Sequence, residues 1–204
     1  MDILGGSLVI TLFFIYLLLW KTKRLMLVKT SGVDPEVLKN SKSNLQRYMG
    51  FMFKVLTGYV VLIILFHTGN FQFYSLFRRF ELLDGSFFKF VGFGSGIIGL
   101  SVCLYAQIKM GQAWRVGIDE NAKTALVQSG LYKIIRNPTY LGLFVLNFGI
   151  WLIWPTWTVF IFNLLFGYTL EIQVRCEEDF LETIHGEDFI QYKNATKRYI
   201  PLIY

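Results

Sequence analysis

Apolar runs recur along this chain at lengths that fit a bilayer, and lysine and arginine collect in the segments between them. The first run, Ile3 to Trp20, carries no charge and is long enough as a helix to cross a hydrocarbon core about 30 Å thick. It follows Met-Asp, with no basic stretch and no small-residue cleavage site, so the expectation is a retained helix and not a cleaved signal peptide. A second run, Tyr48 to His67, holds one interior charge, Lys54, close enough to one end to snorkel. A third, Phe87 to Ile108, contains Gly92, Gly94, Gly96 and Gly99. That spacing suits close helix approach and equally suits the ordinary tolerance of glycine in membrane helices. The last apolar region, Tyr140 to Leu170, is broken at Trp154-Pro155-Thr156 into halves of about 15 residues, about 22 Å each if helical. Proline cannot continue the hydrogen-bond ladder and biases the preceding residue away from the helix, so a helical hairpin is predicted.

Composition agrees with this pattern. Of 204 residues, 54% are hydrophobic and 17% charged, and mean hydropathy is +0.47, which leaves too little polar surface for a water-soluble globule. The predicted fold is all-α: a polytopic membrane protein of about five transmembrane helices, the last two a hairpin, followed by a cytoplasmic C-terminal helical segment. Without linkers or repeats the chain reads as one domain, residues 1–204, with apolar helices up to 108 and a polar, motif-bearing part from 109. Lys21, Lys23, Arg24, Lys29, Lys39, Lys42 and Arg47 lie between the first two helices, and Lys109, Arg115, Lys123, Lys133 and Arg136 precede the hairpin. Five crossings put both stretches and the tail on one side, which the positive-inside tendency assigns to the cytoplasm with the N-terminus outside. Thr68 to Ser86 then lies outside, with Phe71, Phe73, Tyr74, Phe77 and Phe80 at the interface and Arg78 and Arg79 weakening the rule locally.

The net charge of +6 comes with no nucleic-acid motif, and its clustering at membrane edges points to lipid head groups. Cys103, inside a predicted helix, and Cys176, on the cytoplasmic side, are not expected to form a disulfide. His67 and His185 are too isolated for a metal site and read as surface or interface histidines.

Two polar stretches can carry chemistry. The first is GQAWRVGIDENAKTALVQSGLYKIIRNPTYLG, whose end places Asn137 to cap a helix with Pro138 in its first turn. Such a start offers free amides and a positive dipole end to an anion, and Arg136 beside it can pair with a carboxylate or phosphate. Arg136 and Lys133 are equally consistent with interfacial anchors. The second is EIQVRCEEDFLETIHGEDFIQYKNATKRYIP, with an apolar stripe of Phe180, Leu181 and Ile184. Glu171, Arg175, Glu178 and Glu182 recur about once per turn, and spacing alone reads as an amphipathic surface helix. Glu177 and Glu178 point about 100° apart on a helix, so one can face a pocket while the other holds the helix.

Taken in order, GQAWRVG, SGLYKIIRNPTYLG, a hydrophobic hairpin, EEDFLETIHGEDFIQY and KRYIP make the region from Gly111 to Pro201 resemble the isoprenylcysteine carboxyl methyltransferases and phospholipid methyltransferases. The resemblance implies a helical membrane enzyme that uses S-adenosyl-L-methionine and takes a lipophilic acceptor from the bilayer: an isoprenylcysteine-like carboxylate, a lipid amine or a small thiol. By resemblance, Tyr132, Arg136, Asn137, Pro138, Tyr140, Gly142 and Glu178 line the cofactor pocket, and Tyr192 and Arg198 close it from the tail. Trp114 offers a ring face to the adenine or sulfonium or serves as an interfacial anchor. Glu177 and Arg175 are the candidate catalytic residues, Glu177 assisting an amine acceptor that must lose a proton. Two departures stand out. Asn137 replaces the histidine of many members, and Gln173 stands where carboxyl methyltransferases carry an arginine one turn before the glutamate pair, with Arg175 nearby. The second departure speaks against isoprenylcysteine as the acceptor. An NADPH-dependent sterol-reductase-like enzyme is the alternative, disfavoured by the apolar run Leu143 to Leu146 where those proteins carry an acid. A non-catalytic scaffold is the third reading.

Overall fold

The computed structural model describes residues 2–38, 41–69, 75–119 and 125–201, so Lys39, Phe71, Phe73, Tyr74 and Lys123 lie outside the described residues. Helices α1 (Ile3–Ser31), α2 (Asn44–Thr68), α3 (Ser86–Met110), α4 (Pro138–Ile153) and α5 (Trp157–His185) form the bundle, and α6 (Glu187–Ala195) follows. Among the described residues there are no strands, only three isolated bridges. Among the described residues four helices are long and apolar enough to cross a membrane, and α4, at 16 residues, is the short arm of the hairpin. Large apolar side chains such as Phe14, Phe51, Leu65, Ile98 and Leu164 are exposed around the bundle, as a lipid solvent requires. The all-α polytopic expectation holds.

The helices form a ring in which α1 packs on α2 and α3, α3 on α4, α4 on α5, and α5 on α2. The tightest seam joins α3 to α4. A Cβ on Gly92 would lie 2.5 Å from the Gly149 carbonyl, and one on Gly99 would lie 2.5 Å from the Gly142 carbonyl. Two glycines seven residues apart on each antiparallel helix therefore let the backbones touch. Gly96 receives Leu12 of α1, whereas Gly94 faces open space. Three of the four α3 glycines are packing devices.

One end of the ring is sealed. Asp2 caps α1 by accepting from the Gly5 amide (3.0 Å), and it also pairs with Arg79 and with Lys89 (2.9 Å) and accepts from Trp154 Nε1 (3.2 Å). Burial alone would raise this carboxyl, but the Lys89 and Gly5 bonds and the two positive charges pull it down to about 2. His67 is buried here, not at a surface as its isolation suggested. Its Nε2 lies 3.0 Å from Thr156 Oγ1, and its ring is 4.8 Å from that of Trp154. Pro155 ends the first arm of the hairpin, its carbonyl takes the Phe80 amide, and the Thr156 side chain caps α5. Phe80 packs edge-on against Trp157.

At the opposite end the basic segments meet. The α1–α2 connection pairs with the segment after α3 through Val116 N to Pro35 O (2.8 Å) and Val37 N to Val116 O (3.2 Å). The charged stretch after Leu170 starts no new surface helix. Nothing between Leu170 and Glu171 breaks the ladder, so α5 continues without interruption for 29 residues and carries its glutamates beneath the bundle.

Candidate functional site

Inside the ring lies a cavity of about 690 Å³. Along α5 its wall runs from Phe162 to Leu181, about 28 Å of helix. Its inner stretch is apolar, built by Phe13 and Leu17 of α1, Leu56 and Val60 of α2, Leu146 of α4, and Phe166 of α5. Its other end is polar and lies where the two chemical stretches of the sequence meet.

The polar end is held by backbone pairing. Arg136 N donates to Lys197 O (2.7 Å), Asn137 N to Arg198 O (3.2 Å) and Lys197 N to Ile134 O (3.0 Å), so the tail is bridged alongside the segment that leads into α4. Gly186, at φ 55°, turns the chain from α5 into α6 so that the tail can return. Tyr192 donates to Tyr132 O (2.8 Å) and Tyr199 to Glu171 Oε2 (2.8 Å). Burial pushes all three hydroxyls well above the usual tyrosine range, so they remain neutral donors.

Glu178 is the hub of this end. Its carboxylate accepts from Arg136 Nε (3.0 Å), Asn137 Nδ2 (3.3 Å), Arg198 Nε (3.2 Å) and Arg198 Nη2 (2.8 Å), while only 4% of the residue is exposed. Arg136 also donates through Nη1 to the carbonyls of Lys193 (3.0 Å) and Thr196 (2.5 Å), capping α6. Asn137 sits at the start of α4 as expected, but its side chain makes no capping bond because it reaches across to Glu178.

Glu177 differs. It makes no ion pair among the described residues, and its Oε1 accepts from Tyr140 (2.7 Å) and Gln173 Nε2 (2.9 Å). Oε2 has no protein partner among the described residues. Gln173 is 1% exposed and its Oε1 is buried and unpaired, so two cavity-lining residues one turn apart on α5 each carry an acceptor oxygen without a donor among the described residues. Gln173 also donates to Gln46 Oε1 (3.4 Å), which takes the Ile118 amide (3.2 Å) and ties α2 to the site.

Of the residues singled out in the sequence, Trp114, Tyr132, Arg136, Asn137, Tyr140, Glu177, Glu178 and Tyr192 line the cavity together, with Trp114 buried at 4% exposure and so not an interfacial anchor. Four do not line it. Arg175 points outward, 58% exposed and paired with Glu171, because two residues along a helix turn a side chain away from Gln173. Gly142 is spent on the α3 seam, where a Cβ would meet Cys103 Sγ at 2.6 Å. Pro138 is buried at the first position of α4, and Arg198 acts from behind Glu178. Sequence reasoning missed Gln46 and the apolar wall contributed by α1 and α2, which carry no motif.

The phospholipid methyltransferase family matches residues 87–188, half of the chain. This protein belongs to that family. The phospholipid methyltransferase match takes in α3, α4, α5 and the cavity's glutamates, and leaves out α1 and α2. A protein-S-isoprenylcysteine O-methyltransferase of Schizosaccharomyces pombe is 27% identical over 101 residues, which cover 48% of this chain and 43% of that relative.

Proposed function

We propose that this protein transfers a methyl group from S-adenosyl-L-methionine to a lipophilic acceptor drawn from the bilayer, and that it favours an amine over a carboxylate. The carrying observation is a single cavity that joins a polar end, whose glutamates lie in the family's matched segment, to an apolar interior.

The residues present fit the methyl donor. The rings of Trp114 and Tyr140 suit adenine and sulfonium. Arg136 and Asn137, oriented by Glu178, suit its carboxylate. When bound, S-adenosyl-L-methionine supplies an electrophilic methyl group, and the protein's task is alignment in a dry site. Glu177 Oε2 takes the proton that an alkylammonium acceptor gives up, with Tyr140 and Gln173 fixing the carboxylate's orientation. Glu178 and Arg198 act as positioning residues. Arg175 takes no part, because it lies outside the cavity.

The preference for amine follows from Gln173. A carboxylate placed against Glu177 would meet a like charge, with Gln173 offering no cation beside it, whereas an ammonium would be paired by Glu177. The basic end of the bundle, which includes Arg47, Lys109 and Lys133, faces the cytoplasm in this reading.

Purified protein in lipid nanodiscs, given methyl-labelled S-adenosyl-L-methionine and amphiphiles of one chain length ending in amine, thiol or carboxylate, tests the proposal. Label is expected in the amine, and Gln173→Arg is expected to lower amine turnover and raise carboxylate turnover. Labelling of the carboxylate alone by the unaltered protein would overturn the acceptor assignment, and labelling of none the activity itself.

A further inference from the structure

A second pocket, of about 270 Å³, opens between α4 and α5. Phe148, Phe160 and Phe166 line it with Trp151, Asn147 and Asn163. Phe148 is 51% exposed at its rim, so the pocket faces the lipid. The Trp151 ring packs against Phe80, Phe148 and Phe160, with centroids 6.0 to 6.1 Å away.

Two of its lining residues carry buried polar atoms without partners: the donor Trp151 Nε1 and the acceptor Asn163 Oδ1. They do not bond each other, and the Asn163 amide nitrogen is already committed to the Asn147 carbonyl (3.1 Å). Hydrocarbon offers such atoms nothing, and a native fold rarely leaves a buried donor and a buried acceptor unmet beside one pocket. No charged side chain lines the pocket among the described residues, which disfavours ionic head groups. The group that complements one donor and one acceptor is a hydroxyl, which accepts from an N–H and donates to a carbonyl.

We propose that this pocket binds the hydroxyl end of a neutral membrane lipid, with the five aromatic rings, Phe144 among them, enclosing the adjoining hydrocarbon. Neither polar atom is exposed to the pocket in this structure, so engaging the hydroxyl requires the Asn163 amide or the Trp151 indole to turn toward it. Asn147 and Phe166 line this pocket and the large cavity alike, so the bound lipid lies against the apolar wall of that cavity. The site needs no assumption about methyl transfer and stands if that reading fails.

The test is photolabelling of the full-length protein in nanodiscs with a diazirine-bearing long-chain alcohol and with the matching alkane, followed by peptide mapping. Saturable labelling of the peptides around Phe148 and Phe160 by the alcohol is expected, competed by unlabelled long-chain alcohol and not by alkane. Trp151→Phe keeps a ring and removes the donor, and Asn163→Leu removes the acceptor together with the amide bond to the Asn147 carbonyl. Each is expected to weaken competition about fivefold to tenfold while the unfolding midpoint holds, as the loss of one hydrogen bond dictates. Equal labelling by alkane, labelling that does not saturate, or competition unchanged in both folded variants would overturn the proposal. If either variant fails to fold, the alcohol-against-alkane comparison in the unaltered protein decides.

Discussion

Replacing Glu178 with alanine separates the architecture of the site from its chemistry. The carboxylate is 5% exposed and the two guanidiniums that bind it are 10% and 13% exposed, so the variant strands two positive charges in a poorly solvated pocket. Removing one partner from a buried ion pair costs about 3–5 kcal/mol. Arg136 keeps the Lys193 and Thr196 carbonyls and Arg198 keeps Glu171, so the lower end applies, about 3 kcal/mol. For a chain of this size that is a fall of about 6–12 °C in Tm. Glu177→Gln is the matched control: it removes a carboxylate one residue away that meets no cation, and glutamine keeps an oxygen where Oε1 accepts from Tyr140 and Gln173. Its Tm is expected within about 2 °C of the unaltered protein, a shift of less than about 1 kcal/mol, while methyl transfer to an amine is lost. Thermal unfolding in one detergent, followed by tryptophan emission, measures both. Equal Tm values for Glu178→Ala and the unaltered protein, or an equal fall in Glu177→Gln, would refute the division of labour between the two glutamates.

Three further outcomes follow from other parts of the fold. Gly99→Leu drives a side chain into the Gly142 carbonyl and the Leu146 backbone and is expected to cost more than about 2 kcal/mol or abolish folding, whereas Gly94→Ala, with open space around it, is expected to be neutral or slightly stabilising by denaturant titration. The Asp2 carboxyl is lowered from 3.8 to about 2, so its stabilisation is complete above the higher value and disappears as pH falls through the lower; the Tm gap between the unaltered protein and Asp2→Asn is expected to close over that interval. Trp114→Ala removes a buried ring from the cavity wall and is expected to weaken S-adenosyl-L-methionine binding about tenfold, measured by calorimetry beside the Tm of the same sample.

Much of the bundle could be read from the sequence because its determinants are local. Uncharged runs of bilayer length and a proline between two apolar halves specify helices and a hairpin whatever packs against them. What escaped was relational. No residue marks the junction of Leu170 and Glu171 as a continuation, so the glutamates read as a surface helix until α5 proved unbroken. Gly142 sits inside a motif yet serves the α3 seam, a distinction that depends on what lies across from it. Arg175 and Gln173 are two residues apart, and only the rotation of α5 relative to the cavity decides which one enters it. Gln46 reaches the site from a stretch 127 residues away from Gln173, which no spacing rule could reveal.

The central claim, that the polar end of the large cavity holds S-adenosyl-L-methionine, is tested most directly by calorimetry of the detergent-solubilised protein with that compound and, in parallel, with NADPH. Saturable binding of S-adenosyl-L-methionine alone, weakened in Trp114→Ala, is the predicted result. Binding of NADPH alone, or of neither compound to a folded sample, would contradict it.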